Sequence, residues 1–135
     1  MIILVGVDTT FLIDLFRGDK RALVLMENLS KEKEHLSTTV INVAELYRGA
    51  YLHKNKERKL REIGELENLL IILDMRIESA KIYGKLYSFL KEKGRIAKDR
   101  DILIAAIFLS YGENKIITRD KKHFEQIEEI EVISY

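Results

Sequence analysis

Four carboxylates in this chain stand where apolar runs give way to polar sequence: Asp8 in VGVDTTFLID, Glu45 in INVAELYRGA, Asp101 in KDRDILIAA and Asp120 in IITRDKKHF. A carboxylate set against apolar sequence is costly to bury unless a cation or hydrogen bonds offset the loss of water. Should the four converge, each pair ~5 Å apart would repel by about 3 kcal/mol at an effective dielectric of about 20. Some would then have to stay protonated. A divalent cation removes that conflict, and ligation by oxygen alone selects Mg²⁺ or Mn²⁺ over zinc.

Ordinary roles compete with this reading. Asp8, Asp101 and Asp120 each precede an expected helix, where a carboxylate caps free amides and meets the positive helix end. Glu45 resists that account. Its helix is apolar around most of its circumference, and a surface pair with Arg48 would contribute only ~0.2–0.5 kcal/mol. His35, His53 and His123 are scattered without ligand spacing and read as structural or solvent-facing, since an all-oxygen site needs none of them. The run HKNKERKLREIGELE reads as a solvated helix face.

The elements that must position the acids alternate between strand and helix. Ile2 to Val7 is a short apolar run with the length of a buried strand, and Asp8-Thr9-Thr10 opens a helix through Arg17 that Gly18 ends. Helices are expected over Lys20 to Leu29, Val40 to His53, Lys56 to Leu69, Ile77 to Lys93 and Asp101 to Tyr111. Strands are expected near His35 to Ser37, Leu70 to Leu73, Lys115 to Thr118 and Glu131 to Ser134, with a helical turn at Lys121 to Gln126. Ile77, Ala80, Tyr83, Tyr87 and Leu90 stand at helical spacing, and Tyr83 and Tyr87 on that stripe read as core or subunit interface. Such alternation argues for a parallel sheet covered on both faces. Ligands in such folds gather at the carboxyl ends of the strands, where Asp8 and Asp120 fall.

Composition narrows the function classes. The 135 residues fit a single domain, 1–135, large enough to bury a core. A net charge of +1 supplies no overall field toward nucleic acid, so any RNA contact must use a local patch. The absence of cysteine removes disulfides, thiolate metal sites and cysteine nucleophiles. MIILVGVD is too short for a secretory core and no apolar run is long enough for a membrane span, so a cytoplasmic protein without membrane contact is expected.

The chain resembles PIN domains, and within them the VapC family of toxin ribonucleases, over nearly its whole length. The resemblance rests on V-DTTFLIDLFRG, on Asn-x-x-Glu-Leu-x-x-Gly at Asn42 to Gly49, and on D-x-D-I-L-I-A-A followed by I-I-T-R-D-x-x-H-F. It implies a three-layer α/β/α sandwich with a central parallel sheet and a Mg²⁺- or Mn²⁺-dependent endoribonuclease. Asp8, Glu45, Asp101 and Asp120 match the family acids in order, Thr118 a supporting hydroxyl residue and Thr9 a small polar residue beside the first acid. Asp99 is a further candidate ligand or outer group. In this reading Asp8, Asp101 and Asp120 bind the metal, Glu45 joins them or handles the attacking water, and products carry 5′-phosphate and 3′-hydroxyl ends. Lys98, Arg100, Arg119, Lys121 and Lys122 are candidate phosphate contacts.

The resemblance also implies a homodimer and a VapB-type antitoxin, with Leu23, Met26, Ile63 and Leu66 as candidate antitoxin contacts. Three other functions remain open at this point. A housekeeping RNA-processing PIN nuclease would share the acids, and a catalytically silent PIN scaffold would only bind a partner. A receiver-like phospho-acceptor domain also places acids at strand ends, but expects two of them after the first strand.

Overall fold

The computed structural model describes residues 3–32 and 34–135; Ile2, with which the first expected strand begins, lies outside the described residues. Strands β1 (Ile3–Val7), β2 (Glu34–Thr39), β3 (Ile71–Leu73), β4 (Lys115–Ile117) and β5 (Glu131–Ile133) form one sheet in the order β3-β2-β1-β4-β5. Every pairing is parallel. Helices α1 (Thr9–Phe16) and α2 (Lys20–Lys31) join β1 to β2, and α3 (Val40–Leu52) and α4 (Lys56–Leu69) join β2 to β3. Helices α5 (Ile77–Glu92) and α6 (Asp99–Ser110) join β3 to β4, and a 3₁₀ turn at Lys121–His123 precedes β5.

Alternation along β1 separates two cores. Val5 and Val7 pack with Phe11, Leu12, Leu46 and Ile63 beneath α1 to α4. Residues of α5 and α6 pack with Ile116 and Phe124 on the other face. Gly6 sits against that second layer because there is no room for a larger residue: a Cβ there would come 2.7 Å from the Phe108 ring. The result is the expected α/β/α sandwich with a central parallel sheet.

Strand order reverses between β1 and β4, the point where a parallel α/β sheet opens a crevice at its carboxyl edge. The receiver-like reading requires the order 2-1-3-4-5, so the observed order excludes it. Among the described residues no helix is long and apolar enough to cross a membrane.

Element ends depart from expectation mostly by one or two residues. Strand β2 is longer, running through Thr39, because Ser37 and Thr38 are buried by donating their hydroxyl protons to the Val5 and Val7 carbonyls at 3.4 and 2.9 Å. The expected stripe on α5 divides: Ile77 is 69% and Tyr87 44% exposed, whereas Leu90 is buried and Tyr83 packs against the core. Ser79, Leu86 and Leu90 are the buried residues of that helix, so only part of the stripe is core.

Candidate active site

Asp8 follows β1 directly and is fully buried. It occupies the position before α1, yet its side chain makes no cap bond to that helix. Its oxygens turn instead across the switch point. Oδ1 accepts from Asn42 Nδ2 at 2.9 Å, while Oδ2 accepts from Thr118 Oγ1 at 3.1 Å and lies 3.0 Å from His123 Nδ1. Burial raises the Asp8 carboxyl, and the bonds to His123, the Thr9 backbone and Thr118 outweigh it, leaving Asp8 below its ordinary value. The Asp8 bond is the largest influence on His123, which is held above its ordinary value despite the opposing effect of burial.

Asn42 reaches Asp8 because α3 starts without a loop at the end of β2. Thr39 caps α3, accepting from the Asn42 backbone N–H at 3.2 Å, while Asn42 Oδ1 accepts from the Thr39 hydroxyl at 2.7 Å. That fixes the amide so that Nδ2 also donates to Thr9 Oγ1 at 3.0 Å. Thr9 passes its own proton to Glu45 Oε1 at 2.9 Å. Glu45 is thus brought one turn along α3 to the same edge.

Asp101 lies in the first turn of α6, 2% exposed. It is no cap, because α6 begins two residues before it. Arg100 binds it through Nη2 at 2.6 Å and Nε at 3.2 Å, and the other arm of the guanidinium bonds to Glu45. Asp120 does cap, accepting from the Lys122 backbone N–H at 3.1 Å through Oδ1. Its Oδ2 lies 3.4 Å from His123 Nε2.

The four acids therefore belong to one network in which polar intermediaries stand between them. Asp8 connects through Asn42 and Thr9 to Glu45, Glu45 connects through Arg100 to Asp101, and Asp8 connects through His123 to Asp120. Among the described residues no three His, Asp or Glu side chains are grouped closely enough to hold a metal ion. The donor set still fits a hard cation, since it offers carboxylate oxygens of which two groups are almost wholly buried. The flank between Glu45 and Asp101 is where Arg100 supplies the positive charge.

Other expected residues divide. Thr118 donates to Asp8, and its oxygen accepts from the Asp120 backbone N–H at 3.1 Å. Asp99 is exposed and accepts from the Tyr83 hydroxyl at 2.9 Å, apart from the network. Arg100 and Arg119 are both paired with acids of this chain, Arg119 with Asp14 at 2.8 Å. Lys98, Lys121 and Lys122 are exposed beside the site.

Of the structural and solvent-facing readings of His123, the solvent-facing one is set aside: one imidazole joins two of the acids. The available signal was its place three residues after Asp120, one turn of a tight helix. Asn42 lay within the Asn-x-x-Glu motif, but its contact with Asp8 had no local sign. Beside Glu45, a cleft of about 290 Å³ opens between α1, α3 and α4, with Ile13, Phe16, Leu46 and Ala50 in its wall. Ile63, expected as an exposed contact, is 4% exposed and forms part of the core.

A PIN-domain family model matches residues 5–130. Ribonuclease VapC1 of Methanocaldococcus jannaschii is 35% identical over 125 residues, covering 91% of this chain and 80% of that protein. The structure of VapBC-1 from nontypeable Haemophilus influenzae superposes with a TM-score of 0.85 at 28% identity, covering 98% of each chain. VapBC2 from Rickettsia felis, bound to a DNA fragment from its promoter, superposes with a TM-score of 0.88 at 22% identity over 98% of this chain and 99% of that one, a likeness of fold. The chain belongs to the PIN-domain family and, within it, to the VapC ribonucleases.

Proposed function

We propose that this protein is the toxin of a VapBC-type pair, an endoribonuclease that hydrolyses RNA phosphodiester bonds with Mg²⁺ or Mn²⁺. The observation that carries the reading is the network around fully buried Asp8, which draws acids from β1, α3, α6 and the β4 edge to the topological switch point. Asp8, Asp101 and Asp120 would hold the cation. When bound, a divalent ion there supplies an activated water and neutralises charge on the scissile phosphate.

The chain's own groups do the rest. Glu45 takes the proton of the attacking water on Oε2 once Arg100 has left that oxygen, while the Thr9 hydroxyl holds Oε1. Asn42 and Thr118 fix the two oxygens of Asp8, so that little rearrangement is needed when charge develops. Lys98 and Lys121 stand where flanking phosphates would pass, and Arg100 joins them once it leaves Asp101. The bond formed is from water oxygen to phosphorus, and the bond broken is to the ribose 3′ oxygen, which leaves and is protonated. Products then carry 5′-phosphate and 3′-hydroxyl ends.

The same reading gives the protein two protein partners. The α5 stripe of Ile77 and Tyr87 offers an apolar homodimer surface, and the cleft beside Glu45 offers an antitoxin a seat next to the acids. The test is cleavage of a labelled structured RNA by purified protein with Mn²⁺ or Mg²⁺ and with EDTA. Metal-dependent cutting lost in both Asp8→Asn and Asp101→Asn, with 5′-phosphate ends, is the expected result. Ends bearing 2′,3′-cyclic phosphate would contradict it, since that chemistry attacks through the ribose hydroxyl.

A further inference from the structure

Asp14 on α1 is a further buried carboxylate, its side chain only 3% exposed, and strand cleavage makes no use of it. Arg119 Nη1 donates to its Oδ1 at 2.8 Å, and the Tyr135 hydroxyl donates to its Oδ2. The Tyr135 ring meets Phe11 edge to face at 5.3 Å, which anchors the phenol against α1. Burial, and then the bond to Asp14, hold that phenol above its ordinary value, so it remains a neutral donor.

Arg119 lies between Thr118 and Asp120 and is held twice. Its backbone N–H donates to Thr10 Oγ1 at 3.1 Å while its side chain is drawn to Asp14. Thr118 gives its one hydroxyl proton to Asp8, so Thr10, 3.1 Å away, must give its own to Thr118. A continuous run of bonds therefore leads from Tyr135 through Asp14, Arg119 and Thr10 to Thr118 and Asp8. The segment that carries Asp120 is fixed on its other side by the Thr118 N–H bond to the Ile133 carbonyl at 3.1 Å.

We infer that Asp14 and Tyr135 form a clamp on Arg119 that positions Thr118 and Asp120 for cation binding, an inference that rests on the cation-site reading above. Asp14, Tyr135 and Arg119 are positioning residues and touch neither cation nor RNA. Stability alone is a poor reason for the arrangement. The Arg119 side chain is 45% exposed, where solvent screens its charge, whereas the Asp14 carboxylate gives up its water on burial. What the pair specifies is the direction of the loop between β4 and the 3₁₀ turn.

The experiment is Mn²⁺ titration calorimetry on metal-free protein, with the unfolding temperature of each variant measured alongside. Arg119→Gln should weaken Mn²⁺ binding about ten-fold, the lower range for loss of an outer partner of a metal ligand. Tyr135→Phe, which keeps the ring, should weaken it less, and Arg119→Lys should recover most of the affinity. Removing a positive charge near a cation site would by charge alone tighten binding, so a weakening isolates positioning. Leu90→Ala, destabilising from the opposite core, should leave affinity unchanged. Wild-type affinity in Arg119→Gln and Tyr135→Phe, whatever their melting temperatures, would overturn the clamp. A wild-type protein that binds no Mn²⁺ would instead overturn the cation reading on which the clamp depends.

Discussion

Arg100 Nη2 donates to Asp101 Oδ1 at 2.6 Å, and with its other arm on Glu45 one guanidinium joins the second and third acids of the site. A cation held by Asp101, as proposed, would have to displace those bonds, so protein and metal would compete for the same carboxylate. Arg100→Gln should therefore tighten Mn²⁺ binding about ten-fold. A unit charge ~6 Å away at an effective dielectric of about 20 contributes a few kcal/mol before solvent replaces it. The metal-free variant should melt lower, because Asp101 is 2% exposed and loses its partner. Unchanged or weaker Mn²⁺ affinity would show that Arg100 does not compete for the carboxylate.

The His123 and Asp8 pair sets a pH window for the metal-free protein. Folding raises His123 above its unfolded value of 6.5, so its contribution is complete below that pH and is lost as pH rises through the folded value. Folding lowers Asp8 below its unfolded value of 3.8, so its contribution is present above that pH and is lost on acidification. Unfolding temperature in EDTA should be highest between these limits and fall toward pH 8. His123→Gln should remove the fall on the alkaline side. A wild-type profile that rises from pH 6 to 8 would contradict the pairing.

The layers of this fold were legible in the sequence because each element carries its own period: the apolar run before Asp8, the long helices, and the short strands after Leu70 and Asn114. The stripe on α5 did not show which of its residues are core, because Ser79, which is buried, reads as polar, while Ile77 and Tyr87 read as apolar and lie outside. Burial of Ser79 follows from bonds that no local pattern displays, to Ser110 Oγ at 2.9 Å and from the Arg76 backbone N–H at 3.0 Å. The four acids were legible from their apolar settings. The residues between them were not, since Asn42 and His123 become neighbours of Asp8 only when β1, β2 and β4 lie side by side.

Asn42 is the junction of that arrangement, and both of its amide donors and its carbonyl are used inside the protein. Asn42→Ala would leave Asp8 and the Thr39 hydroxyl short of partners in a buried site, at about 1–3 kcal/mol for each group left unpaired. Urea unfolding of the metal-free protein should show a loss of that order, together with reduced cleavage. Asn42→Asp should be worse near neutral pH, because it sets a second carboxylate against Asp8 Oδ1, and should recover partly in acid. Equal stability of the Asp variant at pH 5 and pH 8 would show that the two side chains do not meet.

Gly49 lies on the wall of the cleft between α1, α3 and α4, and a side chain there would project into open space. Gly49→Phe should fill part of the cleft without disturbing the acids, because nothing stands within 4 Å of the added Cβ. If an apolar segment of a VapB-type partner seats there, the variant should lose affinity for it by about ten-fold or more, as expected when a central apolar anchor is blocked. Its RNA cleavage should persist, so toxicity on co-expression with the antitoxin should return. Lys121→Ala, beside the acids but outside the cleft, should instead lower cleavage and leave partner affinity intact. A Gly49→Phe protein still silenced by its antitoxin would move the partner's seat away from this cleft, toward the acids themselves.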